Sequence, residues 1–392
     1  MKKSWEYKRI KDIGSVVAGT TPNTNVAEYW DGSLCWISPA ELDGSHYLYD
    51  SKKKITEAAV KAKSLKLLPE GTVILSSRAP IGKVVINKIP TYCNQGFKCV
   101  VCGKDVYNEF LYWWFWGKKE YLNSLGTGAT FKEISKKVVE EIIIPVPPLS
   151  EQQTIVDYLD SAFAKIDAMK ANAEKALNEA KALFQTSLKE MLEPKEGWEE
   201  KKLGDIGELK NGMNFNKKES GYNVHILGVG DFGKLFLIDD TDCLQTISLN
   251  SNPSEEYILK NEDIVFVRSN GNKNLVGRCV LIHVGDEPCS FSGFCIRFRK
   301  STNEVDAYYL THFLKTENAR KKLVGNGANI SNLNQKVLNE FIVSYPSISE
   351  QKDIVTTLDS LKSKVDRLQE NYEKISQECD ALKQAILRQV FE

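Results

Sequence analysis

Pro147-Pro148-Leu149-Ser150-Glu151-Gln152-Gln153 closes an apolar run, Ile142-Ile143-Ile144-Pro145-Val146, and opens a stretch that reaches Met191 without Pro or Gly. Proline has no N–H to give a strand ladder, so the β-run ends there. A serine followed by an acidic residue supplies a helix cap and a first turn suited to the helix dipole. The segment therefore separates a globular part from a helix. It occurs twice: Pro346-Ser347-Ile348-Ser349-Glu350-Gln351 follows Phe341-Ile342-Val343-Ser344-Tyr345, and Ile155, Val156, Leu159 and Asp160 return 199 residues later as Ile354, Val355, Leu358 and Asp359.

The repeat extends upstream. Trp5-Glu6-Tyr7-Lys8-Arg9-Ile10-Lys11-Asp12-Ile13-Gly14 returns as Trp198-Glu199-Glu200-Lys201-Lys202-Leu203-Gly204-Asp205-Ile206-Gly207, and Gly19 returns as Gly212, all 193 residues apart. The spacing grows along the copy while the order is kept, as small insertions in surface loops would produce. The 392 residues thus read as two copies of one unit: a globular domain over 1–148, a long helix over 149–193, a second globular domain over 194–347 and a second long helix over 348–392.

Each helix of about 42 residues makes a rod on the order of 60 Å. Leu358, Leu361, Val365, Leu368, Tyr372, Ile375, Cys379, Leu382 and Ile386 alternate spacings of three and four, a heptad seam. The matching positions of the first rod are Leu159, Ala162, Ile166, Met169, Ala173, Ala176, Ala180, Leu183 and Ser187, much richer in alanine. Small residues complement large ones, so the rods are expected to pair with each other, antiparallel because a globular domain separates them. The fold class is then α+β: two tandem α/β domains, separated and followed by long helices that form an antiparallel coiled coil with an internal pseudo-twofold.

The globular parts carry short apolar strands (72–76, 84–87 and 98–101; 264–268, 278–283 and 294–298) among short helices. The aromatics of 110–121, matched by 309–321, read as core rather than as platforms for bases.

Lys+Arg and Asp+Glu both count 52, so no global field draws the chain to DNA or membrane. The balance is uneven: residues 1–150 hold 21 basic against 15 acidic side chains, whereas 194–349 hold 19 against 20. The N-terminal residues run into charge, no apolar stretch approaches the roughly 20 residues of a membrane span, and the nine cysteines are irregularly spaced. Reduced thiols in a cytoplasmic protein are the expectation. Chemistry-bearing motifs are missing: His46, His225, His283 and His312 are scattered, there is no phosphate-binding glycine loop, and Cys99-Val100-Val101-Cys102 lies on a β-branched strand whose alternate faces diverge. No catalytic, cofactor or metal residue is expected in this chain.

Two pairs of matched loops remain. Ser77-Arg78-Ala79-Pro80-Ile81-Gly82-Lys83 corresponds to the stretch from Arg268 through Asn270, Asn272 and Lys273 to Arg278, and Gly126-Thr127-Gly128-Ala129-Thr130-Phe131-Lys132 corresponds to Gly325-Asn326-Gly327-Ala328-Asn329-Ile330-Ser331. Arginine and amide side chains match base edges, and glycines admit phosphate close to backbone. Solvated hairpins and ordinary turns have the same composition. Arg78, Lys83, Thr127, Thr130, Lys132, Arg268, Asn270, Asn272, Lys273, Arg278, Asn326 and Asn329 are the candidate DNA-binding residues.

The whole-chain repeat, the Pro-Pro-Leu-Ser-Glu-Gln-Gln junction and its partner, the Trp-Glu opening of each copy and the paired loops together resemble the specificity subunits of type I restriction-modification systems. That resemblance implies a DNA-binding, non-catalytic subunit whose two target recognition domains each read half of a bipartite, asymmetric double-stranded DNA site, with the helices setting the spacer. It implies two methyltransferase (modification) subunits as partners, docked on rod faces outside the seam, together with restriction/translocase subunits. S-adenosylmethionine, ATP and Mg would belong to those partners. Rods of this length allow half-site centres at most about 18 base pairs apart at roughly 3.4 Å per pair. The departures are Pro346-Ser347-Ile348 in place of paired prolines and the missing positive charge of the second domain. The alternative is a non-catalytic coiled-coil scaffold for protein or glycan partners.

Overall fold

The computed structural model describes residues 5–78, 80–128, 132–216, 219–233, 235–324 and 332–392, with Lys273 described by its backbone alone. Contacts divide it into two compact units, 1–174 with 372–392, and 175–371. Each long helix, Leu149–Leu192 and Ile348–Phe391, contributes to both units.

In the first unit a five-stranded sheet runs in the order Gly14–Ala18, Phe97–Cys102, Val73–Ser76, Val84–Asn87, Tyr47–Leu48. A three-stranded sheet has the order Lys53–Ile55, Trp30–Ile37, Tyr92–Cys93, and Glu6–Arg9 pairs with Ile143–Val146. The second unit repeats all three sheets in the same order: Gly207–Asn211, Cys295–Lys300, Ile264–Val267, Cys279–Ile282, Leu237–Ile238; then Thr246–Leu249, Tyr222–Leu227, Cys289–Phe291; then Glu199–Lys202 with Ile342–Tyr345. Val73–Ser76, Val84–Asn87, Ile264–Val267 and Cys279–Ile282 are almost wholly apolar because both faces of the larger sheet are covered. In the first unit Val73 and Leu75 face the aromatic helix Asn108–Gly117, while Ile74 and Val85 face the smaller sheet. Phe110 through Phe115 are buried, so these aromatics are core.

The Ser-Glu-Gln motif acquires a reason in three dimensions. Gln152 is 0% exposed; its Oε1 accepts from the Tyr107 N–H at 2.8 Å, and its Nε2 donates to the carbonyls of Asp105 (3.0 Å) and Pro147 (2.8 Å). Gln351, equally buried, does the same with Asp306 N–H, Glu304 O and Pro346 O, each at 2.8 Å. One amide thus fastens the helix start to the loop before the aromatic helix. Gln351→Ala leaves the buried Pro346 carbonyl and two partly buried backbone groups unpaired and is expected to lower stability by about 1–3 kcal/mol; an unchanged urea midpoint would contradict this role. The helices begin slightly ahead of the expected serine caps. Pro148 O accepts from the Glu151 and Gln152 N–H groups, and Ser347, not Ser349, caps the second helix through the Glu350 N–H at 3.4 Å. The Trp-Glu opening is tied in as well, Trp5 Nε1 donating to Glu151 at 2.9 Å.

Within each unit the two helices run antiparallel. In the first, Ile166 lies against Cys379, Lys170 pairs with Asp380 at 3.6 Å, and Lys383 pairs with Asp167. In the second, Lys181 donates to Gln369 at 2.7 Å. Leu159, Ile166, Leu358 and Val365 are buried, and Ala173, Leu368, Tyr372 and Ile375 are half-buried. The expected seam needs correction at Met169, Ala176 and Leu183 of the first rod. Met169 and Leu183 are 59% and 58% exposed and Ala176 is exposed; the inward places of the last two belong to their neighbours Leu177 and Phe184, while Ala162 stays half-buried beside Phe163. Leu382 is likewise 48% exposed, beside buried Leu387 and Val390. Heptad spacing is satisfied by either of two phases sharing every seventh residue, and the phase burying the larger side chains prevails.

Candidate nucleic-acid interface

The two loop motifs of the first unit, about fifty residues apart in sequence, meet; in the second unit residues 325–331 lie outside the described residues, and the chain on either side of them reaches the Arg268 loop. In the first, the Ile134 N–H donates to Ser77 O at 2.9 Å, and Thr127 and Glu133 exchange backbone bonds at 3.1 and 2.9 Å. Glu133 then binds Lys98 at 3.1 Å and Arg78 at 3.5 Å. Lys98 is buried and also donates to Ser77 Oγ at 3.1 Å, so this carboxylate clamps both loops to the sheet. In the second unit, the Leu333 N–H donates to Arg268 O at 2.8 Å, and Arg320 reaches Asn274 O at 3.0 Å.

A third loop, absent from the expected residues, completes each face. The Ser77 N–H donates to Gly96 O and the Arg268 N–H to Phe294 O, both at 2.8 Å. Beside them the chain leaving the first strand packs closely: Asn94 Nδ2 donates to Thr21 Oγ1 at 2.8 Å, Thr21 bonds Gln95, and the Gly293 N–H donates to Met213 O at 2.7 Å. Phe294 projects 61% exposed. The shared offset of Gly19 and Gly212 was the one sequence signal for this loop.

The individual residues fare differently. Ser77 and Arg268 occupy equivalent places by their backbone bonds, so Arg78 corresponds to Ser269, not to Arg268. Arg78 is ion-paired, whereas Arg268 donates only to Gly293 O, at 3.4 Å, among the described residues. Lys83 donates to Leu42 O at 2.6 Å and Arg278 to Gly233 O at 2.9 Å. Asn270 and Asn272 accept from backbone N–H groups two residues on, at 2.7 and 3.1 Å, and so shape their loop. Thr127 and Lys132 are exposed. Thr130, Asn326, Asn329 and the Lys273 side chain lie outside the described residues.

The Cys99-Cys102 pair is not a unit: Cys99 Sγ lies 3.4 Å from Cys93 Sγ, and burial pushes the Cys102 thiol up to about 12. Among the described residues no cluster of His, Cys, Asp or Glu is arranged to hold a metal, and no helix is long and apolar enough to cross a membrane.

This twice-built architecture has known counterparts. The Type I restriction modification DNA specificity domain matches residues 2–179 and again 195–377. The chain therefore belongs to the type I restriction-modification specificity-subunit family. It is 34% identical over 291 residues to the MjaIX specificity subunit of Methanocaldococcus jannaschii, covering 68% of this chain and 66% of that one. It is 25% identical to the EcoKI specificity subunit of Escherichia coli K12, covering 100% and 89%. In fold it is similar to a chain from a structure described as the basis of complex assembly and conformational transition of the type I R-M system (TM-score 0.75, 18% identity, 99% and 98% covered). It is also similar to the HsdS subunit from Thermoanaerobacter tengcongensis (TM-score 0.67, 18% identity, 100% and 97% covered).

Proposed function

We propose that the chain is the non-catalytic, DNA-reading subunit of a type I restriction-modification complex. Each globular domain reads one half of a bipartite site through its three-loop face, and the long helices set the spacer and dock two modification subunits. The observation that carries this reading is a repeated hydrogen-bonded frame, Gly96 O and the Ile134 N–H on Ser77 in one domain and Phe294 O and the Leu333 N–H on Arg268 in the other, bearing loops of different sequence. A rigid sheet holding variable polar loops is how one scaffold serves different base sequences. Methyl transfer with S-adenosylmethionine, and ATP- and Mg-dependent cleavage, then fall to the partners.

Leu183 and Leu382 support the docking role. They stand at matching positions of the two helices, outside the seam and largely exposed, where apolar side chains from a partner helix would cover them.

The test uses the chain assembled with its modification subunit on DNA substrates altered in one half-site at a time. Arg268→Ala is expected to weaken discrimination in one half only, by the roughly 1–3 kcal/mol of a good base contact. Arg78→Ala should act on the other half, and less, because its guanidinium must first leave Glu133. Equal losses in both halves would overturn independent reading.

A further inference from the structure

The second domain is electrically balanced in total, yet three cations crowd at one corner of it. Arg278 donates to Gly233 O at 2.9 Å; Lys315 donates to Leu235 O at 2.7 Å and Cys279 O at 2.9 Å; Arg320 donates to Asn274 O at 3.0 Å. Among the described residues none of the three has a carboxylate within ion-pairing distance, although Arg299, Lys300 and Lys321 of the same unit are all ion-paired. The Arg320 Nε is buried without a hydrogen-bond partner. Burial holds Lys315 below the ordinary lysine value, and the Arg278 and Arg320 charges lower it further. Arg320 is lowered for the same two reasons, burial and then Arg278.

Like charges that repel one another while half-desolvated are costly unless an anion arrives. Backbone carbonyls use only part of each side chain: a guanidinium has five N–H donors, and single bonds to Gly233 and Asn274 leave most of both forks available. The corner belongs to the loop face, since Arg278 ends the loop that begins at Arg268 and Arg320 is bonded to its middle. The first domain lacks the arrangement. There Lys83 on Leu42 O takes the place of Arg278 on Gly233 O, while Trp116 and Tyr121 stand 199 residues before Lys315 and Arg320.

We propose that Arg278, Lys315 and Arg320 form an anion site that grips phosphodiester oxygens of duplex DNA beside the half-site read by the second domain. This rests on the DNA-reading function proposed above and changes one expectation within it: the second domain makes its own phosphate contacts despite having no net positive charge.

The experiment measures binding of the chain, assembled with its modification subunit, to a fluorescent duplex of arbitrary sequence across a salt series. Arg278→Gln and Arg320→Gln are each expected to reduce the steepness of log K against log salt by about 1, and the double variant by about 2, with equal weakening for every duplex tested. Arg278→Lys and Arg320→Lys keep the charge and should keep the slope. Glutamine variants with the wild-type slope overturn the proposal, as does a slope lost equally in the lysine variants, which marks a structural role. Calorimetric titration with inorganic phosphate separates the sources. Phosphate uptake that needs Arg320 while the DNA slope ignores it makes this a site for a free anion and overturns the assignment to DNA. A wild-type complex without salt-dependent DNA binding would instead sink the DNA-reading function itself, and this site with it.

Discussion

Alanine at Gly19 is expected to abolish reading of one half-site, and alanine at Gly212 reading of the other. A Cβ on Gly19 would lie 2.0 Å from the Asn94 carbonyl oxygen and 2.6 Å from that of Cys93; on Gly212 it would lie 2.1 Å from Ser292 O and 2.5 Å from Phe291 O. These obstacles are backbone atoms, which cannot swing aside as a side-chain tip can. Clearing them means parting the strand exit from the third loop by more than an ångström. That breaks the Thr20 N–H bond to Cys93 O (2.8 Å) in one domain and the Met213 N–H bond to Phe291 O (3.0 Å) in the other. The requirement is for space: neither glycine has a left-handed backbone. Overpacking of this kind costs about 1–3 kcal/mol or more, and the displaced loop carries Ser77 or Arg268 with it. Gly19→Ala should therefore speed hydrogen exchange at Thr20 and Ser77 and remove sensitivity to base changes in a single half-site. Wild-type exchange and wild-type discrimination together would refute the account.

The second large effect concerns the long helices. Removing seven residues from each keeps the heptad phase and shortens each helix by about 10 Å at 1.5 Å per residue, roughly three base pairs of duplex. The variant complex is expected to lose methylation at sites with the natural spacer and to gain it at sites with a shorter one. A methylation assay on a series of spacer lengths decides the matter, and an unaltered spacer preference would show that the helices do not set it. Removing seven residues from one helix alone should cost stability instead, because seam partners such as Ile166 with Cys379 and Lys170 with Asp380 would lose register.

Some features of the site could be read from residues and others could not. Gly19 and Gly212 were visible as a repeated pair, but the carbonyls that forbid a side chain there come from residues about 75 positions further on. Gln152 and Gln351 were visible as repeated letters, and their burial and triple hydrogen bonding were not. Asp160 and Asp359 are similar: the first accepts from Trp113 Nε1 at 2.9 Å and the second lies 3.2 Å from His312 Nε2, so a repeated acid serves two different partners at one place in the fold. The 77–83 and 268–278 loops were legible as a pair, but only the backbone bonds show that Ser77 matches Arg268 and Arg78 matches Ser269.

The amino-acid sequence by itself determined the duplication, the two uninterrupted helices, the short apolar strands and the membership of four loops in matched pairs. Each of these is a pattern along the chain: a period, a spacing, or a residue type that ends an element. Tertiary structure alone decided which of two heptad phases faces inward, which loops share a face, and that Arg278, Lys315 and Arg320 stand together without a carboxylate. Those outcomes depend on which side chains compete for one volume or one field after the sheets close, and that competition is among residues far apart in the chain.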